Sequence, residues 1–383
     1  MEPIPKSVIE EIETLITDGN LFRYASDVSA VSRLEKAFSQ KMDVNYALAV
    51  SSCSAALFLA IKSLDLPDAA RVLIPAFTFA AVPSAVIHAG CVPILCECGD
   101  DYRIDIEDFK LKLSEADAVM ISHMRGHTSD MDVIIHECDI AQIPVIEDAA
   151  HSLGTTWNGK KIGTFGSVGC FSFQSYKMLN AGEGGILVTN DPDLLAKAVI
   201  MSGAYEHNWQ KHAGLKRCFE KWQNKLPLYN LRLNNLSAVL IEAQLSDLDR
   251  RVLNGRRNYD FTASRLNQSP WLYVPQKLDP ELRAPDSIQF NLINFTDSEV
   301  DFFEELSTKS GPKIQIFGRT KDNARAYWNW QFVPERFDLP KTREMLLRAC
   351  DVRLPVHLTI EECHAVSDII LSNVEIVKRG VAA

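Results

Sequence analysis

The 383-residue chain has no uninterrupted apolar run approaching a membrane span, so no transmembrane helix is expected. It also has no excess of basic residues: 40 Lys and Arg face 50 Asp and Glu, a net charge of −10. A nucleic-acid binder needs a basic face for phosphates, so this balance argues against that class. A local basic pocket for an anionic ligand stays open. The nine cysteines are odd in number and scattered. Only Cys96 and Cys98 lie close, as C-x-C, and no C-x-x-C pair or nearby histidine gives a zinc spacing. They read as reduced, buried thiols, and no metal site is expected. The opening MEPIPKSVIEEIETLI is acidic and amphipathic, without the basic region and apolar core of a secretory signal. A cytoplasmic protein is the expectation.

What is present is an ordinary globular composition, 46% hydrophobic and 23% charged, in a chain long enough for a large domain plus a smaller one. The first half alternates short apolar runs with helical patterns, the signature of an α/β fold with a mostly parallel sheet. Candidate strands are 47–50, 71–74, 92–95, 118–121, 144–146, 168–173 and 185–188, seven in all. The last two are joined by a loop rather than a full helix, so one of them is expected to run antiparallel. Helical patterns occupy 54–64, 80–89 and 131–138 between them. Residues 235–266 carry apolar positions at helical spacing and are predicted as one long helix. The polar, proline-containing stretch 267–275 marks the expected boundary between domains 1–266 and 267–383. Strands at 288–293 and 313–317, a helix at 298–310, and a final helix opened by a capping box from Thr359 to Glu362 make the second part a small α+β domain.

The segment VIEDAAHSLGTTWNGKKIGTFGSVGCFSFQSYKMLNAGEGGILVTN, 145–190, is the most informative. It opens with an apolar strand ending in Glu147 and Asp148, and in open α/β sheets ligands sit at the carboxyl ends of strands. A bare Glu–Asp pair there is equally a magnesium-type pair or a helix cap. Farther on, Lys177 sits between an apolar strand and a glycine-rich turn. Most lysines are solvated surface charges. One desolvated in such a place has a lowered pKa and is a candidate for covalent amine chemistry.

These residues resemble the DegT/DnrJ-type sugar aminotransferases, a branch of the fold-type I pyridoxal-phosphate (PLP) enzymes. The family pattern runs E-D-A-A-(Q/H)-x-x-G, then F-S-F-x-x-x-K, then G-E-G-G. VSSCSAALFLAIKSL, VLIPAFTFAAVPSAVIHAG, HMRGHTSDMD and YNLRLNNLSAVLIEAQ resemble further family segments, in the family's order, over most of the chain. The resemblance implies PLP as cofactor, bound through a Schiff base on Lys177, which would also move the proton in transamination. By the same carry-over Asp148 would pair with the pyridine nitrogen. His151 would stand beside the ring's phenolic oxygen and Phe79 would stack on the ring. Ser52, Cys53 and Ser54 at a helix start, with Ser172, would hold the phosphate. Asn230 would reach the phosphate of a neighbouring subunit, which implies a homodimer with shared sites. Arg232 would anchor the donor carboxylate, or form a structural ion pair.

The pattern also has departures. Cys53-Ser54 replaces the family's Gly-Thr, Ser167 replaces Asp, and Arg125 and His127 replace the more usual Tyr and Gln. LFRYAS and QIFGRTKDNARAYWNWQFV resemble, more weakly, the branch containing the aminotransferase that forms the 8-amino derivative of Kdo. There Arg319 and Arg325 would supply cations for an anionic acceptor, while Tyr327, Trp328 and Trp330 read as core. The resemblance implies transfer of an amino group from an amino acid, L-glutamate in this family, to a keto group of a sugar, sugar acid or cyclitol by a ping-pong cycle. The alternatives are a PLP-dependent keto-sugar dehydratase, whose family members carry histidine in place of the lysine, and a non-catalytic regulatory protein that kept the fold.

Overall fold

The computed structural model describes residues 2–205, 207–212 and 214–380. Among these residues fourteen strands form three sheets. The first five are β1 (Tyr46–Val50), β2 (Arg71–Pro75), β3 (Val92–Cys96), β4 (Ala118–Ser122) and β5 (Val145–Asp148). A hairpin follows, β6 (Thr156–Trp157) with β7 (Lys160–Lys161), then β8 (Val168–Ser172) and β9 (Gly185–Thr189). The rest are β10 (Leu272–Tyr273), β11 (Glu281–Leu282), β12 (Ser287–Leu292), β13 (Gln315–Ile316) and β14 (Ala349–Arg353).

The central sheet has seven strands in the order β1-β9-β8-β5-β4-β2-β3. All pairings among β8, β5, β4, β2 and β3 are parallel, and β9 is antiparallel to both neighbours. This is the α/β fold expected, with the odd strand where the short loop before it required one. Strands β4, β8 and β9 are buried at every position, as strands covered by helices on both faces must be.

The stretch 235–266 is not one helix. It breaks into Asn235–Glu242, a 3₁₀ turn Leu245–Asp247 and Leu248–Leu266. The break is held by the buried Gln244, whose Nε2 donates to Leu240 O and Asn180 O and whose Oε1 accepts from Arg251 Nη1. Periodicity could not register this, because the interruption serves a contact distant in sequence. Arg251 Nη1 also donates to Met178 O at 2.7 Å, so the helix restart clamps the segment that follows Lys177.

Beyond it, β10, β12, β14 and β13 form a four-stranded antiparallel sheet. Helices Asp297–Ser310 and Ile360–Gly380 cover it, and both open with Thr–Glu capping boxes. Strand β11 joins the third sheet instead, pairing with β6. The chain therefore returns to the first part after it has begun the second. Tyr327 and Trp330 are buried in the main core, the role read for them from sequence.

Candidate active site

Strands β1, β5 and β8 run in one direction, and β9 starts where they end. The segments after β1, β2, β4, β5 and β8 and the start of β9 therefore meet at one edge of the central sheet. A cavity of about 740 Å³ opens there, lined by Ser52, Cys53, Ser54, Phe79, Asp148, His151, Ser172 and Lys177. Eight residues singled out from sequence are thus brought together. The small sheet supplies the opposite wall with Gln315, Asp351 and Arg353, joined by Arg325.

Successive side chains of a strand point to opposite faces, and β5 uses this to separate its two acids. Glu147 is fully buried and accepts N–H bonds from Gly163, Phe165 and Gly166 at 2.6–2.8 Å, with His123 Nε2 at 3.2 Å. It is a structural acid. Asp148 faces the cavity instead. Its Oδ2 accepts from Ser122 Oγ at 2.8 Å and its Oδ1 from Ala150 N at 3.1 Å. Ser122 Oγ in turn accepts from Thr78 Oγ1 at 2.8 Å. Two hydroxyls on adjacent strand ends thereby fix the carboxylate. A serine and a threonine ending apolar strands were the only sequence signal for this relay, and it is a weak one.

Lys177 Nζ lies 2.9 Å from His151 Nε2 and 3.3 Å from Nδ1. Burial lowers the lysine to a pKa of about 8, with Arg125 adding to the effect, while Asp286 and Asp148 oppose it. Burial, then Lys177, pushes His151 well below the usual imidazole value, so the ring is neutral at pH 7. The pair is an amine next to an uncharged hydrogen-bonding ring.

Helix Cys53–Ser63 points its N-terminus into the cavity, capped by Ser52 Oγ, which accepts from Ala55 N at 3.1 Å. Its first N–H groups make an anion site. Gly185 lies under this turn: a Cβ there would stand 2.3 Å from Ser52 C and 2.4 Å from Cys53 N. The glycine of the G-E-G-G run is required by this close approach. Cys53 needs no left-handed backbone, and burial holds its thiol protonated.

Three further residues proposed from sequence lie elsewhere. Arg232 donates to Gly203 O at 2.8 Å and sits over the Phe22 and Tyr205 rings, outside the cavity. Arg319 is ion-paired with Asp297 and Asp301, also outside it. Asn230 is exposed on the single chain.

Sequence reasoning missed a buried chain of contacts behind the cavity. His127 Nε2 meets Gln289 Oε1 at 2.8 Å, Gln289 Nε2 donates to Asp351 Oδ1 at 2.7 Å, and Asp351 pairs with Arg125. The replacements Arg125 and His127 are the two ends of this chain. Gln289 and Asp351 sit in buried strands where a polar residue resembles ordinary surface alternation, so neither gave a signal. Among the described residues no cluster of three or more His, Cys, Asp or Glu could hold a metal ion, and no helix is long and apolar enough to cross a membrane.

Known proteins resemble this chain in sequence and in fold. GDP-perosamine synthase of Vibrio cholerae is 32% identical over 253 residues, spanning 63% of this chain and 66% of its own length, just short of two thirds. The crystal structure of 3-amino-5-hydroxybenzoic acid synthase superposes with a TM-score of 0.85 at 22% identity, covering 98% of both chains. An E. coli GDP-4-keto-6-deoxy-D-mannose-3-dehydratase structure, with bound hydrated PLP, gives 0.84 at 20% identity over 97% of this chain and 98% of its own. At such identities the two structures show a shared fold, that of fold-type I PLP enzymes. The family model of the DegT/DnrJ/EryC1/StrS aminotransferases matches residues 7–371, and the chain belongs to that family.

Proposed function

We propose that this protein is a PLP-dependent aminotransferase that moves an amino group from an amino acid, L-glutamate, to a keto group of a sugar, sugar acid or cyclitol. The observation that carries this reading is Lys177: a half-buried amine of pKa about 8, 2.9 Å from a neutral histidine, in a cavity floored by a fixed carboxylate.

The residues present fit PLP. The helix N-terminus at Cys53, closed from below by the side-chain-free Gly185, suits a phosphate, with Ser54 and Ser172 as hydroxyl donors. Lys177 is the covalent attachment residue. Phe79 would offer an aromatic face to the ring, and Asp148 would keep a proton on its pyridine nitrogen. Bound PLP supplies a carbonyl that captures amines and a ring that takes up electrons. Ser122 and Thr78 keep Asp148 aimed. Lys177 Nζ, with a pKa of about 8, lies close enough to physiological pH to give up a proton and take it back, and His151 orients that nitrogen. Asn230 is exposed beside the Tyr229 and Leu231 that line a groove behind the phosphate turn. This supports a homodimer with shared sites.

The dehydratase reading shares the fold of one neighbour, but the lysine that its relatives lack is here and desolvated. Purified protein is expected to be yellow, with a visible band abolished by borohydride and bleached by L-glutamate alone. Lys177→Ala loses both colour and turnover. A protein that takes up PLP but is bleached by no amino acid is not an aminotransferase.

A further inference from the structure

The cavity wall facing Lys177 carries more positive charge than it neutralises. Of its four cations, Arg125 is ion-paired with Asp351, which Gln289 and His127 hold from behind. Arg353 is paired with Asp286 at 3.1 Å and donates to Tyr176 O at 2.7 Å. Lys313 is exposed, where charge is screened. Arg325 has no carboxylate partner among the described residues. Among the described residues its guanidinium makes one hydrogen bond, a long 3.4 Å contact from Nη1 to Gln315 Oε1, and its buried Nε has no partner. The guanidinium is held by rings instead, 5.5 Å from the centroid of Phe79 and 5.7 Å from that of Phe317.

A cation withdrawn from water without a counter-ion is costly, and burial lowers even this guanidinium to a pKa of about 10, leaving it charged at pH 7. Such a group is poised for an anion. A planar fork with free N–H donors matches a carboxylate's two oxygens. Of the three arginines named from sequence as anion partners, Arg232 and Arg319 are engaged elsewhere, which leaves Arg325.

We propose that Arg325 is the receptor for the substrate carboxylate in this cavity, binding the amino donor opposite Lys177. The assignment rests on the aminotransferase reading and deepens it. Arg125 is the positioning residue beside it, fixed by Asp351 so that it does not compete for the anion. Donor and acceptor use the same cavity in turn, so a carboxylated keto substrate meets the same guanidinium and a neutral one leaves it unpaired.

The test uses PLP-loaded full-length protein and two readouts. One is calorimetric binding of glutarate, an unreactive dicarboxylate, against neutral glutaramide. The other is the concentration dependence of bleaching by L-glutamate. Arg325→Gln is expected to weaken both by on the order of ten- to a hundredfold, the loss of charge-assisted bonds. The visible band stays intact as the control for folding, and Arg325→Lys recovers part of the affinity. Glutaramide binds neither protein appreciably. Glutarate and L-glutamate affinities unchanged in Arg325→Gln would overturn the proposal, as would equal binding of glutaramide by the wild type. If no amino acid bleaches the wild type while glutarate binding still depends on Arg325, the aminotransferase reading fails and the carboxylate site stands.

Discussion

Lys177 Nζ and His151 Nε2 stand 2.9 Å apart, and neither side chain keeps its ordinary affinity for a proton. Burial acts first on both, and the charge of Lys177 then lowers His151 further. Below pH 8 Lys177 is protonated in folded and unfolded chains alike, so the burial cost is carried in full. Between about 8 and 10.5 the unfolded chain retains a proton that the folded one has lost, so stability rises with pH across that window. Cofactor-free Lys177→Met is therefore expected to exceed cofactor-free wild type in stability by up to roughly 3 kcal/mol at pH 7. The gain shrinks toward pH 10.5. Urea unfolding at both pH values measures it, and a less stable variant at pH 7 contradicts the sign.

Ser122 touches Asp148 but lies one residue further from the chemistry. Ser122→Ala removes a donor from a buried carboxylate and is expected to lower kcat about fivefold, the value of one hydrogen bond. The kcat of Ser122→Ala against wild type, followed across pH, measures this loss. Asp148→Asn goes further, with a loss on the order of a hundredfold or more. A Ser122→Ala profile superimposable on wild type leaves the hydroxyl without an orienting role.

Gly185→Ala places a methyl group where the Ser52–Cys53 backbone already stands. The phosphate turn must shift, at a cost of about 1–3 kcal/mol. The prediction is faster loss of PLP on dialysis, out of proportion to the drop in thermal midpoint. Equal retention of PLP by the two proteins would show that the turn has slack.

Glu147 is an acid whose removal should harm the fold rather than the reaction. Its oxygens collect three backbone N–H groups from the loop before β8. Glu147→Gln weakens two charge-assisted bonds and turns an NH₂ toward a donor, an expected cost of about 3 kcal/mol in unfolding free energy. The kcat of the protein that remains folded should change little. A large fall in kcat at unchanged stability assigns Glu147 to the chemistry after all.

The central sheet was legible because each of its seven strands is a short apolar run bounded by helical patterns. That one of the last two strands runs antiparallel followed from the length of one loop, and the structure makes it β9. Eight cavity residues were legible because they lie in local motifs at sheet ends. The opposite wall was legible only in Arg325, named together with Arg319. Asp351 and Gln289 come from the small sheet, and their meaning depends on which partner each finds across the fold. Arg319 and Arg325 look alike in the sequence. Only the carboxylates of Asp297 and Asp301, brought to Arg319 by the helix Asp297–Ser310, tell them apart. The break at Gln244 has the same origin, a bond to Asn180 that no local pattern announces.

Strand β11 returns to the first part of the molecule before the small sheet is complete. There Glu281 accepts from Arg103 and from Thr128 N, and Ala284 N donates to Thr155 Oγ1. A chimera joined at residue 267 would import a foreign stitch into this seam and lose the bonds that close it. Exchange of the substrate-facing wall between relatives is better cut after Ala284. Such a graft carries Gln289, Arg325, Asp351 and Arg353 across as a set, and leaves the host's own thread in place to receive them.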